Sequence, residues 1–363
     1  MSERSPIAAA VGWGLFCSAS WTWCIGMFLP FVMLQRYGWI GFWIFFVPNV
    51  VGCAGFGLLQ STERVRALRE RLLPLCGWFS LVTIAYQAFF AGWMLPSVGG
   101  FAVVIAGLLS ARLFRERAWL WMSVAVAIAT GCAVAAHLRG GTWPPLEANG
   151  SLPASDVIAL APAVALGFLA CPFLDLTFHR ARLRSGSRLT FAVFGVAFGL
   201  TLLAVALWWS DALRGPVRDG ALVALWSVQL AFTIGAHARE GSAPLVDGLA
   251  RPAHLTALSA VWAALSGLAL GWAVRAPGIG NFAGEWAYLA LLGFYGLIFP
   301  FALLLRRRIH PAVLIGLILV ASPFYAQAFI GGRTAFLWGP IVALAVLWMA
   351  TKDKDGTKGL LAT

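Results

Sequence analysis

The chain has 363 residues, 61% of them hydrophobic and only 11% charged, with a formal net charge of +12. That composition excludes a soluble globular domain and points to an all-α polytopic membrane protein. The basic excess does not argue for nucleic acid, because it is sorted by loop, as counted below.

A bilayer core needs about 20 apolar residues per helix. Twelve stretches meet this, at 7–34, 39–59, 72–95, 98–114, 119–137, 157–178, 189–209, 220–237, 255–274, 286–305, 311–330 and 335–350. The fourth is the shortest. The loops are brief and leave no room for an extramembrane domain, so 1–363 reads as a single membrane domain. The first stretch follows Arg4, is too long for a signal h-region and lacks a small-x-small cleavage site. It is expected to stay as an uncleaved span.

Within that first stretch lies SASWTWCIGMFLP, residues 18–30, where small polar residues, Gly26 and Pro30 fall at mid-membrane depth. Backbone that leaves helical geometry there is tolerated only when protein or a water-filled cavity covers it. The sixth stretch carries a second interruption, GFLACPFLD, residues 167–175. Two interrupted helices at matching places in two halves of a chain are the best sequence pointer to a transporter's binding site. The loop 138–156, rich in Gly, Pro and Asn, is the natural joint between the halves 7–137 and 157–306. Each half holds five spans. Five is odd, so the second half runs with inverted topology. Residues 311–350 add a pair of helices and 351–363 a tail.

Orientation follows from the cations. With the N-terminus inside, the cytoplasmic side holds 20 of the 26 Lys and Arg residues and the outer side 6. The alternation predicts an inner-membrane protein with both termini cytoplasmic. A face this basic should attract anionic lipid head groups.

Asp175 is the only acidic residue well inside a span. A carboxylate at mid-membrane costs about 2.5–3.5 kcal/mol on insertion scales. It is therefore a candidate to ligate a cation, accept a coupling proton or pair with a cationic solute. The alternative is a structural ion pair near His179 and Arg180. The break in the first span offers backbone carbonyls and amides around 20–26, with Ser20, Thr22 and Cys24 as side-chain contributors, unless Gly26 and Pro30 only kink it for packing. Trp21, Trp23, Trp78, Tyr86 and Trp93 are candidates for an aromatic pocket, although interfacial belts and packing account for most of the 18 tryptophans. Gln87 and Gln229 are polar at membrane depth, as solute partners or as interhelical glue. Pro48-Asn49 and Pro300 mark kinks. The six cysteines read as small buried hydrophobes. The five histidines lack metal-site spacing, and neither a nucleophile elbow nor a phosphate loop occurs, so no cofactor and no enzymatic activity are expected.

The opening SASWTWCIGMFLPFVMLQRYGWIGFWIFFVPNVVGCAGFG resembles the amino acid–polyamine–cation transporter superfamily with the LeuT fold, most closely the solute:sodium symporters. In that family an unwound, Ser- and Trp-containing first helix leads into a tight turn, here Arg36-Tyr37-Gly38, and a Gly-rich second helix. The stretch Cys171-Pro172-Phe173-Leu174-Asp175, with the basic turn after it, is similar to the broken sixth helix of nucleobase–cation symporters. The resemblance implies a LeuT-like 5+5 inverted repeat plus two C-terminal helices. It implies a solute site formed by Ser20, Trp21, Trp23, Cys24, Gly26, Gln87, Asp175 and Gln229. A coupling-ion site would be built from Ala19, Thr22, Ser227 and Thr233. The family's neighbouring hydroxyls in the eighth helix are replaced here by the separated Ser227 and Thr233, which leaves sodium and protons both open as coupling ion.

The expectation is a secondary active transporter of a small organic solute, working by alternating access. The rival readings are a solute sensor or membrane subunit that does not transport, and an integral-membrane lipid-modifying enzyme. The loops identify no protein partner.

Overall fold

The computed structural model describes residues 5–138, 150, 153–206, 220–242, 250–280 and 282–351. The joint at 139–149, the end of the seventh expected stretch, Arg4 and the three tail lysines lie outside them. Among the described residues every regular element is helical.

Helix α1 (Pro6–Trp21) starts with proline at its first position, where the missing N–H costs nothing. It ends where Thr22 (ψ 67°) and Trp23 (ψ 176°) leave helical geometry. Helix α2 (Cys24–Val47) turns sharply at Gly38, whose φ of 63° and ψ of −162° are open at low cost only to glycine. A π turn at Pro48–Gly52 leads into α3 (Cys53–Leu59). Helix α4 (Thr62–Met94) begins ten residues before the expected apolar stretch. The Ser61 side chain caps it by accepting from the Arg64 N–H, and the run TERVRALRER consists mostly of good helix formers, so the helix outruns the apolar segment.

Next come α5 (Ser97–Leu113) and α6 (Glu116–Leu138). The expected sixth span is divided into α7 (Ala154–Ala159), α8 (Ala161–Ala170), a 3₁₀ turn (Cys171–Phe173) and α9 (Leu176–Ser185). Helices α10 (Leu189–Ala206), α11 (Gly220–Arg239) and α12 (Ala257–Ala273) follow. A second π turn, Phe294–Ile298, separates α13 (Ala283–Gly293) from α14 (Phe299–Leu305). Helices α15 (Pro311–Phe329) and α16 (Trp338–Ala350) complete the order.

Among the described residues, eight helical stretches are long and apolar enough to cross a bilayer, and Pro6–Trp21, Ser97–Leu113, Ala257–Ala273 and Thr334–Ala350 are shorter apolar helices. This is compatible with a polytopic membrane protein. Large apolar side chains such as Val51, Trp121 and Leu319 stand exposed on the outside, while a continuous core runs through the bundle.

The heaviest packing joins α4 to α12, α5 to α11 and α1 to α10. Glycines make two of these approaches possible. Cβ atoms at Gly267 and Gly271 of α12 would collide with the Ala85 and Phe89 carbonyls of α4. Gly107 of α5 and Gly235 of α11 meet the Ala231 and Gly107 carbonyls in the same way. Small residues let helix backbones close up where apolar burial alone gives little drive. Gly267→Val is therefore expected to destabilise the folded protein by about 1–3 kcal/mol or more. Thermal unfolding in detergent reads this, with Gly131→Val, which has nothing within 4 Å of its Cβ position, as the control.

Candidate functional site

The two helix interruptions lie side by side. At the end of α1 the Ser20 hydroxyl is 3.0 Å from the Thr177 hydroxyl at the start of α9. Asp175 is the N-cap of α9, and its Oδ1 accepts from the Thr177 N–H and from the Thr177 hydroxyl, both at 2.7 Å. This explains the sequence Asp-Leu-Thr after the 3₁₀ turn: an aspartate at N-cap satisfies a backbone donor that has no helical partner. All three residues are buried. Asp175 does not pair with Arg180, the structural alternative raised by the sequence. Arg180 reaches Glu240 instead.

The carbonyls at the end of α1, expected to be open, are answered by the protein's own donors. Ser18 O accepts from the Thr22 N–H and from the Thr22 hydroxyl at 2.7 Å. Ala19 O accepts from the Thr233 hydroxyl at 3.4 Å. Ser20 O accepts from the Trp23 indole N–H at 2.6 Å, and Trp21 O from the Trp23 N–H at 2.7 Å. On the other side of the break the Cys24 N–H donates to Gln87 Oε1 at 2.9 Å, and Cys24 O accepts from the Tyr288 hydroxyl at 3.1 Å. The unmet hydrogen-bonding capacity here belongs to side chains. Gln87 Nε2, Asp175 Oδ2 and His237 Nε2 are buried and have no hydrogen-bond partner.

The Trp23 ring packs against Trp21, Phe79, Tyr295 and His237, with centroids 4.6–5.8 Å away. Trp21 donates from its indole N–H to Asn49 Oδ1 at 2.8 Å, which ties the break to the π turn after α2. π turns favour functional positions, and both of those among the described residues border this centre: Asn49 lies in the first and Tyr295 in the second. An apolar cavity of about 30 Å³ opens beside Trp21 and Trp23, walled by α2, α8, the second π turn and α15. That is room for a water molecule or so, and too small for an organic solute.

The structure therefore brings together Ser20, Trp21, Trp23, Cys24, Gln87 and Asp175. Other expected members lie elsewhere. Gly26 is a packing glycine, its Cβ position 3.3 Å from Leu202 of α10. Gln229 donates to the Thr130 hydroxyl at 3.3 Å and lines a separate groove of about 310 Å³ among α1, α6, α10 and α11. Among the ion-site candidates, Thr233 meets Ala19. Thr22 bonds within its own turn, and Ser227 bonds back to Val223 O at 2.7 Å. Trp78 is exposed and stacks on His254, outside the aromatic centre. Cys132 is exposed, unlike the other five cysteines.

Sequence reasoning missed three contributors. His237 was set aside for lack of metal spacing, yet its Nε2 faces Asp175 Oδ2 at 3.9 Å. Arg36, at the far end of α2's first half, pairs with Glu285 of α13 at 2.7 Å and donates to Phe329 O at 2.9 Å. At the opposite end of the bundle Glu240 accepts two hydrogen bonds from Arg180, at 2.5 and 3.1 Å, with Arg69 at 3.9 Å. Glu116 of α6 pairs with Arg184 at 3.1 Å and lies 3.9 Å from Arg180. Each contact joins residues far apart in sequence, so no local spacing announces it.

Burial by itself would push the Glu240 carboxyl up. Arg180, and behind it Arg69 and Arg239, outweigh that and hold it below the usual carboxylate value. The stabilisation is thus complete above the unfolded value, about 4.3, and is lost as pH falls through the lower folded value.

Compared with models of protein families and with curated protein sequences, the chain matches none. The functional reading rests on the geometry.

Two outcomes are expected from equilibrium unfolding. Asp175→Ala removes the α9 cap and should cost about 1 kcal/mol or more, whereas Asp175→Asn keeps a capping oxygen and most of the stability. Glu240→Gln leaves buried guanidinium groups without their anion, which should cost about 3–5 kcal/mol at neutral pH. It should also flatten the acid limb of the stability profile.

Proposed function

We propose that the chain is an ion-coupled secondary transporter of a small organic solute, with a LeuT-like arrangement of two inverted five-span repeats and two added helices. The observation that carries this reading is the contact between two helix breaks deep in the bundle, Ser20 to Thr177. Breaks at corresponding places in two halves are how transporters of this architecture build a midplane site. The eight long helical stretches and four shorter apolar helices supply material for twelve crossings.

The packing pattern supports the repeat. Numbering the spans one to twelve, α4 and α12 are the third and ninth, while α5 and α11 are the fourth and eighth. A shift of five exchanges these two pairs, and both are among the heaviest contacts in the fold. Both close their backbones over glycines. The first span packs on the fifth and seventh, and the sixth packs on the tenth and second, which are the mates under the same shift.

Alternating access needs closures at both ends that open in turn. On the proposed outer side, Arg36 ties the first span to Glu285 at the start of the tenth and to the eleventh. On the proposed cytoplasmic side, Glu240 and Arg180 join the eighth and sixth, with Arg69 of the third beside them. Between them the cavity is too small for a solute. In this reading the described conformation is occluded, and the break must rearrange to admit cargo. The aromatic walls suit a solute with a flat or apolar body, and Asp175 and Gln87 offer it polar partners.

The test is thermal stability of the purified full-length protein against a solute panel, in sodium and in potassium buffers. A ligand at 100 times its Kd stabilises by about 2.7 kcal/mol. The expected result is a solute-specific rise that is lost in Asp175→Ala. A panel of small organic solutes without any such rise would contradict the reading.

A further inference from the structure

Asp175 Oδ2 and His237 Nε2 face each other at 3.9 Å, both side chains fully buried and both atoms without another partner. We propose that this pair is a binding site for one exchangeable proton, shared between the carboxylate oxygen and the imidazole nitrogen. Resting on the transporter reading above, the proton it holds is the coupling ion.

The rest of each side chain is already committed. Asp175 Oδ1 takes both Thr177 donors, and His237 Nδ1 lies 3.3 Å from the Ser80 hydroxyl. What remains is one oxygen and one nitrogen 3.9 Å apart. In the tautomer whose Nδ1–H donates to Ser80, both present lone pairs to the gap, and these oppose unless a hydrogen lies between them. A buried acceptor left alone is costly, and a buried carboxylate more so. Adding one proton turns the pair from net −1, with neutral imidazole, to net zero. The bond formed is O–H on Asp175 or N–H on His237, and the remaining lone pair accepts the hydrogen bond. Removing that proton to water restores the anion. No other atom changes hands.

The gap of 3.9 Å exceeds a hydrogen bond by about an ångström. Closing it would draw α9 toward α11, and α9 carries the Thr177 link to Ser20 at the other break. Protonation therefore acts on the same element that joins the two halves. Along α9 and α11 the pair lies between the break and the Arg180–Glu240 cluster.

Among the described residues, the other ionisable groups within electrostatic reach of the pair are Cys17, Cys53, Cys76, Cys171, Tyr295 and Glu240. Thiols and phenols hold their protons at neutral pH, and Glu240 is committed to Arg180. That leaves the Asp175–His237 pair as the group free to exchange a proton.

Infrared difference spectroscopy of the purified full-length protein, titrated with acid and base, reads this without a known solute. The expected result is a protonated-carboxyl band that disappears as pH rises and is absent in Asp175→Asn. Its midpoint should fall by about one pH unit or more in His237→Gln, which removes the second basic site, and stay in place in His179→Gln. If Asp175→Asn does not fold, Asp175→Glu should move the band instead. A carboxyl band indifferent to both Asp175 and His237 substitutions would overturn the proton site whether or not the chain transports. A pair that titrates as expected, alongside solute stabilisation whose pH dependence is unchanged in His237→Gln, would overturn its role as coupling site.

Discussion

Two hydroxyls 3.0 Å apart, those of Ser20 and Thr177, join the two helix interruptions at the centre of the fold. Each belongs to a chain that has just left or is about to enter helical geometry. Thr177 is fixed in turn by Asp175, which caps α9. Helix ends inside an apolar bundle must find donors and acceptors; here Thr22 and Thr233 answer carbonyls at the end of α1, and Asp175 answers the Thr177 N–H. The surrounding indoles do the rest, with Trp23 closing on Ser20 O and Trp21 reaching Asn49. A centre built this way is polar in its connections and apolar in its walls.

Ion pairs lie at both ends of the bundle around this centre. Arg36–Glu285 and Arg180–Glu240 lie at opposite ends, each between segments that flank a break or pack on one. The Arg36 pair is partly exposed, so its net contribution is small and it is suited to opening. The Glu240 cluster is buried, with more guanidinium groups than carboxylates, and holds its end more firmly. Under the transport proposal, that asymmetry makes the Arg36 end the easier one to open.

Much of this was legible in the sequence, for identifiable reasons. The apolar stretches follow from hydropathy. The first interruption is signalled by small polar residues with Gly26 and Pro30, and the second by Cys171-Pro172; the chain leaves helical geometry at Thr22 and Trp23, while Gly26 and Pro30 lie within α2. The charged start of α4 was not legible from hydropathy, because a capped run of good helix formers continues a helix whatever its polarity. Azimuth was the other loss. Gln87 and Gln229 look alike in sequence, yet one receives the Cys24 N–H and the other faces Thr130 in a separate groove. A helix with apolar residues on every side gives no periodic signal of which face meets which neighbour. His237 and Asp175 are 62 positions apart and meet only through the tertiary fold.

The transport proposal requires the segments around the two breaks to move against the most heavily packed pairs, α4 with α12 and α5 with α11. Pulsed electron spin distance measurements test it most directly, with labels replacing exposed residues in a background without the native cysteines. One pair, at Ile40 and Trp272, spans the Arg36 end, and the other, at Ile7 and Leu258, spans the Glu240 end; all four residues are exposed. Across a pH titration the account predicts at least two populations at each end, with conditions that lengthen one distance shortening the other. A single unchanging distance at both ends would contradict it, and would mean a rigid bundle rather than a transporter.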